Sequence, residues 1–294
     1  MQHPWRAVIG FDEFTPGDKM SPNHRKKALV LSFSFIELGQ SALSNAKVWL
    51  SPVVLRNSHM AEIRGGWSHA LKSFLQFMLL GALGLSTAGV HIEIFGNRVL
   101  LFAVPEVLLT DGDGHRMALD WKGANALKCC WKHSNVLKRD SNLIHRRPGF
   151  VEIDCADQRR FVRTTPEDIR TAVEVLAESA AKHAGGTMTK TRFGEIMMAF
   201  GLNYNPDGLI FDVSLRYVLN LAEAPHYDWV HTLLTGVFPL EVNLLLKQAV
   251  QQKQFRICDV EIVFGGSMLA LSCIYIKQGR CTLANIRFVP QRQQ

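Results

Sequence analysis

The sequence predicts an α/β fold: a mixed sheet assembled in the order β-β-β-α-β and interrupted further along the chain by an all-helical region. Three observations carry that expectation. The first third holds short segments that alternate apolar and polar residues at the period of two expected of half-buried strands. A longer segment at helical period follows, and after it comes a near-continuous apolar run. From Thr165 to about Lys253 the pattern changes to helices with recognisable start and stop signals.

Taken in order, "AVIGFDEF" is the first strand and "KALVLSFSFIEL" the second, with Leu29, Leu31, Phe33 and Phe35 on one face. "KVWLSPVVLR" is the third, and the short connections favour an antiparallel meander. "HMAEIRGGWSHALKSFLQFMLLG" reads as a helix from about Met60 that stops near Gly81 or Gly84. "HIEIF", a Gly-Asn turn and "RVLLFAVPEVLLTD" follow. The run from Val99 to Leu109 suits a strand buried on both faces, while Pro105 inside it argues for a bulge or an early end.

In the helical region Thr165 is the expected N-cap, Pro166 the first helical residue and Gly185 the stop. Further helices are expected at 189–200, 213–223 and 239–252, and the last stretch returns to strands split by Gly-Gly and Gln-Gly turns. The expected organisation is a core over 1–160, a helical region over 161–253 and a β-rich tail over 254–294.

Composition sets the class. With 294 residues, 47% hydrophobic and 20% charged, the chain has material for a sizeable core and no low-complexity tract. Its net charge of +7 is compatible with phosphate-rich partners without demanding them. Six cysteines (129, 130, 155, 258, 273 and 281) lack the dense spacing of a secreted disulfide scaffold. "MQHPWRAVIGF" is not a signal peptide, so a nuclear or cytoplasmic location is expected and secretion is not. The uncharged stretch at 73–90 approaches the minimal membrane-spanning length, yet its Gln, Ser, Thr and Gly residues suit a buried helix, and no membrane partner is expected.

The chemistry centres on acids at strand ends. Asp12 closes the first strand, and "LLTDGDGHR" places Asp111 and Asp113 at the end of a later one. If those strands are neighbours, the carboxylates converge, as phosphodiester cleavage by two Mg²⁺ ions about 4 Å apart requires. Hard divalent ions take oxygen ligands, hence Asp and Glu. The competing reading is that "DGDG" is a surface turn, for which Asp and Gly are favoured. Asp111 is preferred over Asp113 because it directly ends the strand. No Gly-rich phosphate loop follows a strand and no Gly-x-Ser-x-Gly elbow occurs, so NTPase and serine-hydrolase classes are poorly supported.

"KGANALKCCWKHSNV" resembles the segment after the second catalytic aspartate of eukaryotic DDE transposases, whose core is RNase H-like, with Cys130 and His133 as the matching Cys-x-x-His pair. "FDEFTPGDK" with "RKKALVLSFSFIEL" is similar to the strand carrying the first aspartate and the strand after it. Residues 7–252 also resemble an uncharacterised, many-copy family of transposon-derived proteins of unicellular algae, in "GGWSHALKSFL", "DGDGHRMALDWKGA", "GFVEIDCAD" and "YDWVHTLL". Two departures stand out: Cys129 replaces the usual proline, and the acid of "DGDG" is doubled.

The resemblance implies an RNase H-like mixed sheet and a third acid on a helix after the helical region. Glu241 is the leading candidate for that acid and Asp228 its competitor, so Asp12, Asp111 and Glu241 form the expected catalytic set, with Asp113 and Asp228 as further metal candidates. Cys130 and His133 are expected to fasten a loop; two ligands fall short of the four of a structural zinc site, so zinc is not expected. Lys122, Lys128, Lys132, Lys138, Arg139, Arg146 and Arg147, interleaved with Trp121 and Trp131, could track a DNA backbone, the alternative being a solvated charged face. DNA is the expected partner, and a homo-oligomer is allowed. The rival from another class is a catalytically inactive relic that binds nucleic acid or protein.

Overall fold

Strand 1 is built on Ala7, Val8, Ile9 and Phe11, all buried, and this apolar run is the centre of the sheet. The computed structural model describes residues 3–14, 27–82, 84–94, 96–139 and 149–228, together with short stretches between 244 and 282. Residues 1–228 and 229–294 form two compact units.

In the first unit β1 (Trp5–Phe14), β2 (Ala28–Phe35) and β3 (Leu50–Arg56) form an antiparallel meander, with α1 (Gly39–Leu43) between the last two and α2 (Asn57–Met60) after them. Helix α3 (Gly66–Leu75) follows, then the hairpin of β4 (Val90–Ile94) and β5 (Asn97–Leu101). Strand β6 (Ala103–Thr110) lies parallel to β1. Helix α4 (Gly112–Ala118), the short parallel pair β7 (Val136–Leu137) and β8 (Val151–Glu152), α5 (Pro166–Ala184), α6 (Lys190–Phe200) and α7 (Val213–Val218) complete the way to β9 (Pro225–Tyr227). The main sheet is a five-stranded mixed sheet of order β3-β2-β1-β6-β9, its last three strands parallel. The protein is thus a mixed α/β structure, as the periodicity predicts.

Ile9, Phe11, Leu29, Leu31 and Leu108 of the sheet pack with Trp67, Leu71 and Leu75 of α3 and with Ile169, Val173 and Leu176 of α5 in one hydrophobic cluster. Each such buried side chain contributes roughly 1.5–3 kcal/mol. The helices after residue 160 therefore share a core with the sheet. In the second unit β10 (Glu261–Phe264) pairs with β11 (Ser267–Ala270), and β12 (Tyr275–Lys277) with β13 (Arg280–Thr282), as two antiparallel hairpins.

Several expectations need correction. The helix expected from Met60 begins at Gly66, because Gly65 (φ 81°) and Gly66 (φ 62°) adopt backbone angles that break a right-handed helix. It ends in a π-turn over Gln76–Leu80 that stops at Gly81, inside the expected window. Among the described residues no helix is long and apolar enough to cross a membrane. The single strand expected over Val99–Leu109 is two, β5 and β6, separated at Phe102. Pro105 does sit at a bulge: Ala7 pairs with Pro105 and Val8 with Val107, leaving Glu106 as the extra residue. The helix expected over 213–223 is only Val213–Val218, and the expected all-helical region contains β9, which joins the main sheet. The helix expected at 239–252 lies almost wholly outside the described residues.

Candidate functional site

The parallel pairing of β1 and β6 runs to Gly10 opposite Leu109. Two residues further on stand Asp12, which lies inside β1 opposite Val30 rather than closing the strand, and Asp111, just past the end of β6; both line one cleft of about 530 Å³, together with Glu13, Lys27, Asp113, Arg116, Trp121 and Asn203. The strands that carry the two aspartates are therefore neighbours. Asp12 Oδ1 accepts the backbone N–H of Glu13 at 2.7 Å. Glu13 accepts from Lys27 Nζ and from Asn57 Nδ2, both at 3.0 Å. Burial pushes the Glu13 carboxyl up, but those two bonds and the Lys27 charge outweigh it and leave the group below the ordinary carboxylate range.

Asp111 has two tasks. It ends the strand, and it is the N-cap of α4: its Oδ1 accepts the N–H of Gly114 at 2.6 Å, leaving Oδ2 outside that bond. Gly114 is needed for close approach, since a Cβ there would lie 1.9 Å from Thr110 Oγ1. The turn-like chemistry of "DGDG" is real, and it serves to start a helix directly beneath the cleft. Asp113 is largely exposed and pairs with Arg116 one turn on, at 2.8 Å.

A third aspartate shares this edge of the sheet. Thr110 of β6 pairs with Tyr227 of β9, and the N–H of Asp228 donates to Thr110 O at 3.0 Å, continuing the ladder. Three adjacent parallel strands therefore lead in turn to Asp12, Asp111 and Asp228. His115, buried under α4, fixes this arrangement: its Nε2 bonds to His226 O at 3.0 Å and its ring meets that of Tyr227 edge-on at 5.0 Å. Burial, with the charge of Lys132 behind it, pulls the His115 pKa down to about 4 against the His226 bond, so it is neutral at pH 7. The role of His115 was not visible in the sequence. Glu241, the leading third acid of the sequence reading, and Arg146 and Arg147 lie outside the described residues.

Comparison of the chain with protein-family models, with curated proteins and with solved structures gives no match.

The segment after α4 is a knot that holds the cleft wall to β9. Cys130 Sγ lies 3.3 Å from His133 Nδ1, and the His133 ring packs on Phe161 at 5.1 Å. Burial, then Arg163 and Lys132, lower the His133 pKa. Cys129 is core, packed with Val136 and Val151, and burial pushes its thiol up. Trp131 Nε1 donates to Leu221 O at 2.9 Å. Asn135, missed in the sequence, uses its whole amide: Nδ2 donates to Gly149 O at 2.7 Å and Arg160 O at 2.8 Å, and Oδ1 accepts from Val162 N at 2.9 Å. Among the described residues no three His, Cys, Asp or Glu side chains gather tightly enough to hold a metal ion.

Among the described residues, the cations of that run are held in different ways. Lys122 Nζ bonds to Asn203 Oδ1 at 2.6 Å and Lys132 Nζ to Glu223 O at 2.7 Å. Lys128 is half-buried, and burial lowers its pKa and that of Lys132. Arg139 pairs with Asp154 at 2.9 Å. Lys138 and Arg163 are exposed. Lys27 and Arg116, outside the run, are the cations that line the cleft.

Proposed function

We propose that this chain is a transposase-derived DNA-processing protein with an RNase H-like core, in which Asp12 and Asp111 serve metal-dependent phosphodiester cleavage and strand transfer. The observation that carries the reading is that both line one cleft from adjacent parallel strands, Asp12 inside β1 and Asp111 just past the end of β6. The sheet supports it: a central first strand, two antiparallel strands on one side and two parallel strands on the other. The motif around Cys130 and His133 supports it from the sequence side.

The donor set fits a hard divalent ion, because both groups are carboxylate oxygens and Asp111 has an oxygen outside its cap bond. Mg²⁺ held there by Asp12 and Asp111 would supply activation of the attacking oxygen and charge stabilisation at the leaving one. The protein's own part is to hold the carboxylates on adjacent strands and to set Lys27 and Arg116 where a phosphodiester backbone would pass.

The test is nicking of supercoiled plasmid in Mg²⁺. Asp12→Asn should lower the rate on the order of 10²–10³-fold, as expected for removing a group that stabilises charge in the transition state, while the fold and DNA binding persist. Unchanged nicking in that variant overturns the assignment. A second reading, a relic that binds nucleic acid without cleaving it, is favoured by the engagement of Asp111 as a helix cap and of Asp113 by Arg116. Salt-dependent DNA binding by a wild-type chain that never nicks would select it.

A further inference from the structure

We propose that the groove between α5 and α7 is the contact face of a two-fold dimer, with Arg216 of each copy reaching Glu174 of the other. The groove measures about 450 Å³, and none of its lining residues lines the Asp12–Asp111 cleft, so the inference stands apart from the cleavage reading. Its floor is apolar, made by the buried side chains of Ile169, Leu219 and Leu221. Its rim is apolar and open: Tyr217 is 86% exposed and Val213 57% exposed, both on α7. An aromatic lip over an apolar floor is the kind of anchor that protein interfaces use.

The charges select the occupant. Arg216 lines the groove and its Nη1 has no acceptor among the described groups, so an acceptor brought by a second copy would satisfy it. Glu174 Oε1 accepts from Arg170 Nη1 at 2.9 Å, and its side chain is 58% exposed, so it can take a second donor. In an interface with two-fold symmetry a contact made one way is made again in reverse, so one donor and one acceptor on the same face satisfy both copies. Across the groove the charges of Glu167, Arg170, Glu174 and Arg216 balance. In a chain of net charge +7, a neutral face is where two copies can approach without repulsion, and its two carboxylates disfavour a phosphate backbone.

Sedimentation velocity of the full chain over a concentration series tests this, with the fold of each variant checked by circular dichroism and thermal unfolding. The wild type should show a concentration-dependent dimer. Arg216→Glu and Glu174→Arg alone should each weaken association at least about tenfold, and the two together should restore it. Tyr217→Ser, which alters only an exposed side chain, should weaken the dimer while leaving the unfolding temperature at concentrations where the chain is monomeric unchanged, and it decides the matter where a charge variant misfolds. A wild type that stays monomeric, a dimer as tight in Tyr217→Ser as in the wild type, or a folded double variant that fails to recover overturns the proposal.

Discussion

Asp120 is the only non-glycine residue with a positive φ (52°) among the described residues, and its carboxyl is turned into the protein. Oδ1 accepts from Asn205 Nδ2 at 2.9 Å, while Oδ2 is sealed without a partner. Its main-chain oxygen accepts from the N–H of Asn203, a residue of the cleft wall, at 2.7 Å. Burial pushes the pKa up to about 6, against the hydrogen bond from Asn205 that pulls it down. A carboxyl raised in the folded state binds its proton more tightly there than in the unfolded chain, so stability falls as pH rises from about 4 to about 6 and stays lower above that. The whole effect is about 2–3 kcal/mol. Asp120→Asn keeps the shape, tolerates the left-handed backbone and cannot ionise. It should therefore raise the urea midpoint at pH 7.5 and flatten its dependence on pH between 4 and 7. A variant that tracks the wild type at every pH would show that Asp120 is ionised at no cost. Nothing in the sequence pointed to this group, because its burial comes from loop 202–209 folding over it rather than from any local pattern.

At the scale of elements, what the sequence made legible is what is encoded locally. Helix α5 was readable to the residue: Thr165 and Asp168 form a capping box, Pro166 opens the helix and Gly185 caps its end. The meander was readable because its strands alternate and follow one another. Strand β9 was not, since three residues in helical surroundings become a strand only by pairing with β6, far earlier in the chain. Helix α4 escaped for another reason: "GDGHRMA" begins with glycines, so propensity argues against it, and the cap from Asp111 with the packing of Gly114 on Thr110 overrides that. The double use of Asp111 makes a separable prediction. Asparagine caps a helix as well as aspartate does, whereas alanine costs about 1 kcal/mol. Asp111→Asn should then unfold within a few tenths of a kcal/mol of the wild type, and Asp111→Ala about 1 kcal/mol earlier in denaturant titrations. Both should lose Mg²⁺-dependent nicking. Nicking that survives in Asp111→Asn would leave Asp111 as a cap and nothing more.

For the whole molecule, net charge says less than where each cation is held. The linear cluster from Lys122 to Arg147 looked like a track for nucleic acid, yet Lys122, Lys128 and Lys132 are turned toward protein groups and Arg139 toward Asp154. Sequence proximity could not reveal this, because the acceptors for Lys122 and Lys132, Asn203 Oδ1 and Glu223 O, come from segments some eighty and ninety residues away. Among the described residues, Lys138 and Arg163 are exposed, while Lys27 and Arg116 line the cleft paired with Glu13 and Asp113. Each phosphate neutralised on duplex DNA adds about 0.9 to the slope of log K against log salt. If DNA passes over this face, replacing Lys138 and Arg163 together with glutamine should weaken binding uniformly across sequences and reduce that slope by about 2. Lys132→Gln should instead lower stability, by abandoning the carbonyls of Ala222 and Glu223 that lead into β9, and leave the slope nearly unchanged. Fluorescence anisotropy of a labelled duplex, repeated at several salt concentrations, separates the two behaviours. A slope that responds to Lys132 but not to Lys138 and Arg163 would place the DNA away from Lys138 and Arg163.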